Sequence, residues 1–235
     1  MAGLIIIPTY NERTNIANLI GEIFWLLPDI QMMVVDDNSP DGTAEVVQNL
    51  QQQFPRLTLH RREKKEGLGK AYINAFQLVL ERKDIDNVIM MDADFSHAPA
   101  YLPIMLKEAE MHDVVIGSRY IKGGGAVGWE RSRKMLSFFG NCYCRLITRT
   151  PLRDFTGGFN LIHREMLQKI PLSNMNSSGY AFMIELKYLL WRQRARIKEI
   201  PIVFKNRLQG ESKMSSHIVR EGILMPWKLA MKQIL

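Results

Sequence analysis

Four short strand-like runs, three of them continuously apolar, each halted by polar residues or proline and followed by a helix-length stretch, constrain the fold of this chain most. Leu4-Ile5-Ile6-Ile7 is closed by Pro8, and Met32 to Val35 runs into Asp36-Asp37-Asn38-Ser39-Pro40-Asp41-Gly42-Thr43. Leu57-Thr58-Leu59-His60 leads towards Glu66-Gly67-Leu68-Gly69-Lys70, and Val88 to Met91 ends in Asp92-Ala93-Asp94-Phe95-Ser96-His97. Continuous apolar runs of this length read as strands buried on both faces. Between them, Ile16, Leu19, Ile20, Ile23 and Leu27 recur at helical spacing before Pro28. Shorter helical patterns carry Val46, Val47 and Leu50, then Ala71, Ala75, Leu78 and Val79. Strand and helix in alternation predict an α/β fold, a mostly parallel sheet flanked by helices. Ligands in such sheets sit beyond the carboxyl ends of the strands. Glu12, Asp36-Asp37 and Asp92-x-Asp94 all fall at such ends.

Two carboxylates one residue apart at a strand end can share a hard divalent cation, with phosphate oxygens completing its shell. The alternative is that one aspartate caps the helix beginning near Pro99 while the other is solvated. A dehydrogenase reading fails because the first strand is followed by Pro8-Thr9-Tyr10-Asn11-Glu12 instead of G-x-G-x-x-G, and no P-loop occurs. Gly67-Leu68-Gly69-Lys70 reads as the first turn of a helix, whose start can also help hold a phosphate.

The second half is richer in loops. Asp113 to Tyr120 is a fifth strand running into a loop, and Gly123-Gly124-Gly125 before Gly128-Trp129 predicts a mobile loop. Residues 131–149 read as a helix bearing Arg131, Arg133, Lys134, Arg145 and Arg149, either a solvated basic face or a contact with lipid phosphates. Asp154-Phe155-Thr156-Gly157-Gly158-Phe159 is a turn-rich stretch able to close over a ligand. Gly179-Tyr180-Ala181-Phe182 opens a helix in which Glu185 is either a ligand contact or an exposed acid. Ile200 to Phe204 is a late strand, and Arg207 to Lys213 a basic loop. From Ser215 to Leu235, apolar residues alternate with Arg220, Lys228 and Lys232, with Pro226 starting or kinking a helix. That segment either packs on the domain or lies in a bilayer interface.

Bulk properties narrow the class. With 235 residues, 46% of them hydrophobic, the chain can fill one sizeable core. No stretch reaches about 18 uncharged apolar residues, so no helix is expected to span a bilayer unaided. Met1-Ala2-Gly3 leads straight into a strand, which argues against a signal peptide. Cys142 and Cys144, two apart on a helix, point to different sides and are not expected to pair, which suits a reducing compartment. The net charge of +7 calls for an anionic partner. Nucleic acid is excluded as that partner: no recognition motif and no interleaved stacking aromatics accompany the basic residues.

Taken together, Pro8-Thr9-Tyr10-Asn11-Glu12, Val35-Asp36-Asp37-Asn38-Ser39-Pro40-Asp41-Gly42-Thr43, Asp92-Ala93-Asp94, Gly117-Ser118-Arg119-Tyr120, Thr156-Gly157-Gly158-Phe159 and Arg207-x-x-Gly210-x-Ser212-Lys213 occur in order. This series resembles the family 2 glycosyltransferases with the GT-A (Rossmann-like) fold, and among them the dolichol-phosphate (polyprenol-phosphate) mannosyltransferases, over nearly the whole chain. The resemblance implies a catalytic domain over residues 1–213, and the pattern of residues 214–235 leaves them as a C-terminal amphipathic helix that is either packed on that domain or membrane-interfacial. It implies inverting transfer of mannose from GDP-mannose to a dolichyl or polyprenyl phosphate. Pro8, Tyr10, Glu12, Val35, Asp37 and Ala93 would hold the donor. Asp92 and Asp94 would bind Mg²⁺ or Mn²⁺ and the diphosphate, with Ser96 near the metal. Arg119, Arg133 and Ser137 would take the acceptor phosphate, with Asp94, Arg119 and Arg133 carrying the catalytic load. Arg207 and Lys213 would close on the donor, which Arg119 also faces. The same resemblance implies peripheral attachment to the cytoplasmic face of a membrane, endoplasmic reticulum or plasma membrane according to source, with small membrane subunits as conceivable partners.

These residue types suit such chemistry. A departing nucleoside diphosphate builds negative charge that a divalent metal and cationic side chains stabilise. A phosphate monoester is already ionised near neutral pH, its second pKa being about 6, so no general base is required. The protein must set one anion beside another, a task for arginine forks that hold phosphate bidentately. Transfer of glucose from UDP-glucose and a catalytically silent sugar-nucleotide-binding subunit are the rival readings.

Overall fold

The computed structural model describes residues 2–206 and 216–231. The four runs form β1 (Gly3–Thr9), β2 (Gln31–Asp36), β3 (Leu57–Arg61) and β4 (Asn87–Met90), joined by α1 (Arg13–Leu26), α2 (Thr43–Gln51) and α3 (Leu68–Leu80). They pair in parallel in the order β3-β2-β1-β4. Although β1 is apolar from Leu4 to Pro8, its side chains still alternate. Leu4 and Ile6 join Tyr72, Phe76 and Phe182 on one face of the sheet, and Ile5 and Ile7 join Ile16, Leu19 and Ile23 on the other. Burial on both faces is what leaves no polar position in the run.

A 3₁₀ turn and α4 (Leu102–Glu108) lead to β5 (Val114–Ser118). Next come β6 (Gly125–Val127), α5 (Arg131–Thr148), β7 (Asn160–His163), α6 (Arg164–Gln168), α7 (Gly179–Arg192), β8 (Ile197–Pro201), β9 (Val203–Lys205) and α8 (Ser216–Met231). The main sheet has seven strands in the order β3-β2-β1-β4-β7-β5-β8, with β7 antiparallel to both of its neighbours. Strands β6 and β9 form a separate parallel pair. Among the described residues no helix is long and apolar enough to cross a membrane.

Three expectations change. Strand β7 is absent from the sequence reading, because only Asn160-Leu161-Ile162-His163 remains after the turn-rich stretch, too short to stand out. The triple glycine is not a mobile loop: Gly124 N–H bonds to Ile121 O at 2.9 Å, Gly125 N–H bonds to Ile202 O at 3.0 Å, and Gly125 opens β6. The late strand is two strands in different sheets, broken at Ile202. Of the two places expected for Pro226, the start of a helix or a point within one, it takes the second, inside α8. That helix packs on α5 and α7, with Met225 and Leu229 buried in the core and Tyr188 Oη donating to Leu229 O at 3.2 Å. Cys142 is exposed and Cys144 buried, on different faces of α5 as expected.

Gly124 is glycine for a steric reason. A Cβ there would lie 2.5 Å from Ser118 O and 3.0 Å from the Arg119 carbonyl carbon, both rigid backbone. Gly124→Ala is therefore expected to cost on the order of 2 kcal/mol, the range of overpacked cores, and to disturb the Arg119 backbone. Thermal melting would register this as a fall of several degrees, and an unchanged melting temperature would contradict the close approach.

Candidate active site

Six strands of the main sheet run the same way, so the carboxyl ends of β1, β2, β4 and β5 share one edge. A cleft of about 650 Å³ opens there, lined by Pro8, Tyr10 and Glu12 after β1, Asp37 after β2, Asp92, Ala93 and Asp94 after β4, and Arg119 after β5. Because β7 is antiparallel, its amino end reaches the same edge. Register places Asn160 opposite both Met90 and Ile116, so Gly157 and Gly158 stand between the acidic tip and Arg119. A Cβ on Gly158 would meet Asp92 Oδ1 and His97 Cε1 at 3.5 Å each.

The turns at these strand ends are held from within. Asn11, Asn38 and Phe95 have φ of 62°, 55° and 61°, the left-handed region that non-glycine residues enter at a cost, often at functional sites. Asp36 is fully buried and bonds Thr9 Oγ1 at 2.8 Å and Ser39 Oγ at 2.6 Å, so it shapes the turn and leaves Asp37 to face the cleft. Asp37 accepts from Arg62 Nη1 at 2.5 Å and from Gly67 N–H at 3.3 Å, which ties the start of α3 to the end of β2. Lys65 lies 3.8 Å from the Tyr10 ring centroid.

At the acidic tip, Asp94 Oδ1 accepts from Ser96 N–H at 3.0 Å and from Ser96 Oγ. Neither aspartate caps the turn at Pro99, whose cap is Ala98 without a side-chain bond. His97 Nδ1 accepts the Asp92 N–H at 3.2 Å while its ring stacks on Phe159. Burial lowers the pKa of this imidazole against the pull of Asp92 and Asp94, so the ring is neutral near pH 7.

On the basic side, Arg119 Nε and Nη2 grip Asp154 at 2.8 and 2.7 Å, and Nη2 also donates to Thr156 Oγ1 at 2.8 Å. Burial alone would raise the Asp154 pKa, but the Arg119 charge and hydrogen bonds hold it well below the usual carboxylate range. From beneath, the fully buried Lys187 donates to Asp154 O and Gly157 O, 2.8 Å each. Burial brings its pKa down to about 8 despite the attraction of Asp154. The Arg119 fork is thus committed to Asp154 and Thr156, and Nη1 is the part of the guanidinium that neither of them engages. Arg133, on the first turn of α5, lies 4.3 Å from the Trp129 ring centroid, and Arg119 stands 5.4 Å from that centroid. Cation–ring contacts of this kind hold both guanidiniums beside one indole.

Not every expected residue is brought to the cleft. Val35 is a core residue packed with the α3 face. Ser96 is buried and turned to Asp94, and Ser137 Oγ accepts from Tyr120 Oη at 2.5 Å. Glu185 is neither exposed nor in the cleft lining, but buried against Ser177 Oγ at the start of α7. Arg207 and Lys213 lie outside the described residues. Asp154, Lys187, Trp129 and His97 had no role assigned from sequence. An aspartate heading a Thr-Gly-Gly turn was the available signal for the first, and a lone lysine in an apolar helix for the second.

Residues 4–171 match the sequence profile of the family described as Glycosyl transferase family 2. The chain belongs to that family. Among similar proteins, the undecaprenyl-phosphate mannosyltransferase of Micrococcus luteus is 40% identical over 98% of this chain and 95% of its own. The polyprenol monophosphomannose synthase of Mycolicibacterium smegmatis is 39% identical over 94% of this chain and 83% of its own. The glucosyl-3-phosphoglycerate synthase of Mycobacterium tuberculosis, solved with Mn²⁺, uridine diphosphate and phosphoglyceric acid, superposes with a TM-score of 0.74. It is 16% identical and covers 97% of this chain and 78% of its own, a likeness of fold. A second structure of that enzyme holds Mg²⁺ and uridine diphosphate, at a TM-score of 0.72, 16% identity and coverage of 98% and 79%.

The glycosyltransferase thus has the GT-A fold, with the cleft at the carboxyl edge of its sheet. Its donor set suits a hard cation. Asp92 and Asp94 line the cleft, and no cluster of three or more His, Cys, Asp or Glu occurs among the described residues, so diphosphate oxygens and water would supply the other ligands.

Proposed function

We propose that this family 2 glycosyltransferase moves mannose from GDP-mannose to the phosphate of a polyprenyl lipid, with inversion, at the cytoplasmic face of a membrane. One observation carries the reading: two carboxylates and two arginines of opposite demand, Asp92 and Asp94 against Arg119 and Arg133, line a single cleft. Relatives named for mannosyl transfer to polyprenyl phosphate, about 40% identical over nearly the whole chain, supply the substrate class.

In this reading Pro8, Tyr10, Glu12 and Asp37 border the nucleotide, and Asp92 and Asp94 hold Mg²⁺ or Mn²⁺ against the diphosphate. When bound, the metal supplies charge stabilisation to the leaving diphosphate. The acceptor phosphate arrives ionised, so the chain provides no base. Instead it places cations beside the oxygens that do not attack, leaving one phosphate oxygen to form the bond to the anomeric carbon as the bond to the diphosphate breaks. Arg133 offers its whole fork, while Arg119 offers Nη1 and the fixed positive field of a buried guanidinium. Asp154 keeps that guanidinium still, so little reorganisation accompanies transfer. Arg207 and Lys213 are proposed to close on the donor.

Purified protein given radiolabelled GDP-mannose, polyprenyl phosphate and Mn²⁺ is expected to yield a labelled lipid. Label appearing only with UDP-glucose would replace the donor. Within that assay, Arg133→Ala is expected to raise the lipid KM about tenfold or more, as for loss of a charge-assisted phosphate contact, and to leave the GDP-mannose KM within about twofold. Equal effects on both constants would remove Arg133 from the acceptor side.

A further inference from the structure

A surface helix normally turns its apolar stripe to the core. Helix α5 does the reverse. Its core-facing side buries Asn141, Cys144 and Thr148, while Met135, Phe139 and Leu146, at helical spacing, are 59%, 59% and 75% exposed. Beside it, α8 turns Leu224, Trp227 and Met231 outward. The two helices touch, with Tyr143 Oη donating to Ile223 O at 2.8 Å. Among the described residues, these helices carry nine of the 14 exposed large apolar side chains, so the patch is concentrated and not scattered.

The charge around the patch selects its occupant. Helix α5 contains no acid, and Arg131, Lys134, Arg145 and Arg149 are exposed along one flank, with Arg220 and Lys228 exposed on α8. The acid of α8, Glu221, is drawn inward to Ser178 Oγ at 2.6 Å. An apolar stripe bordered by cations, with Trp and Phe in the stripe, fits the interface of an anionic bilayer. A nucleic-acid backbone would leave that stripe against water.

We propose that the outward faces of α5 and α8 dock this protein on an anionic phospholipid bilayer, laying the mouth of the cleft at the membrane surface. The two meet at the first turns of α5: Arg133 borders the cleft, and a smaller groove lined by Trp129, Ser132, Arg133 and Leu136, with the exposed acid Glu130 at the cap of the helix, adjoins it. A lipid phosphate would reach Arg133 along this groove without its chain leaving the bilayer. The docking surface deepens the proposed function, and rests on it for the purpose of docking but not for the composition of the patch.

Flotation with vesicles free of polyprenyl phosphate tests it. The full chain is expected to float with vesicles of 30% phosphatidylglycerol, and several-fold less with pure phosphatidylcholine or in 0.5 M salt. The F139E/L146E double variant, altered only at outward positions, is expected to lose vesicle binding at least about tenfold with an unchanged melting temperature. It should keep wild-type turnover on a short, water-soluble prenyl phosphate. A wild-type chain that stays unbound, or a variant that floats equally well, would overturn the docking face. So would a wild-type dimer that the double variant turns into monomers without any vesicle binding. Vesicle binding without mannosyl transfer would count against the proposed reaction alone.

Discussion

Asp154→Asn is expected to cripple the protein twice over. The substitution keeps the shape of the side chain but leaves the guanidinium of Arg119, itself buried, without its counter-charge. Breaking a buried pair from one side costs about 3–5 kcal/mol, because the remaining charge stays desolvated. The same change frees Arg119 to swing, so kcat/KM should fall by about two orders of magnitude or more, roughly what a misplaced phosphate-facing group costs. Denaturant unfolding and steady-state kinetics on the one variant would read both losses. Wild-type values for either would show that Asp154 does not set the position of Arg119. The pH dependence has a definite sign. Because the folded state holds the Asp154 pKa below its ordinary value near 4, the stability it contributes is complete above that pH and fades as acid is added. The stability gap between wild type and Asp154→Asn should therefore narrow between pH 5 and pH 3. A gap that widened would reverse the assignment.

Asp94→Ala is expected to remove transfer almost entirely, by about 10³-fold or more in kcat, equivalent to about 4 kcal/mol of lost charge stabilisation at the departing diphosphate. The fold should survive. The deletion takes away the local bonds to Ser96, worth about 1–2 kcal/mol together, from a turn at the cleft edge. Initial rates across a Mn²⁺ titration, beside an EDTA-treated wild type, would test the role. Full wild-type turnover in EDTA, or a variant retaining a tenth of its rate, would take the metal away from Asp94.

Sequence reasoning names residues that line the cleft but not the neighbours that hold them. The Asp-x-Asp tip, the Pro8-to-Glu12 turn and Arg119 were recognisable because each interrupts or ends an apolar run, a one-dimensional signal. The sequence names Arg119 for the acceptor phosphate without naming its partner Asp154, 35 residues on, which engages its fork. Ser137 was grouped with the arginines, yet its hydroxyl serves Tyr120. Side-chain partnership across such distances leaves no periodicity to read. Neither does the need for glycine at 124, which comes from the approach of the backbone of residues 118 and 119.

The linear order of apolar runs and helical spacings was enough to settle an α/β sheet with acids at its carboxyl edge, because burial on both faces and strand polarity are written locally. Whether those acids would meet arginines was decided only in three dimensions. The insertion of β7, antiparallel and four residues long, brings Gly157 and Gly158 to the same edge and joins β4 to β5. A strand that short carries no local signature. Its place is set by the two neighbours whose backbone hydrogen bonds it completes, and hydrogen-bond partners far apart in sequence exist only once the chain has folded.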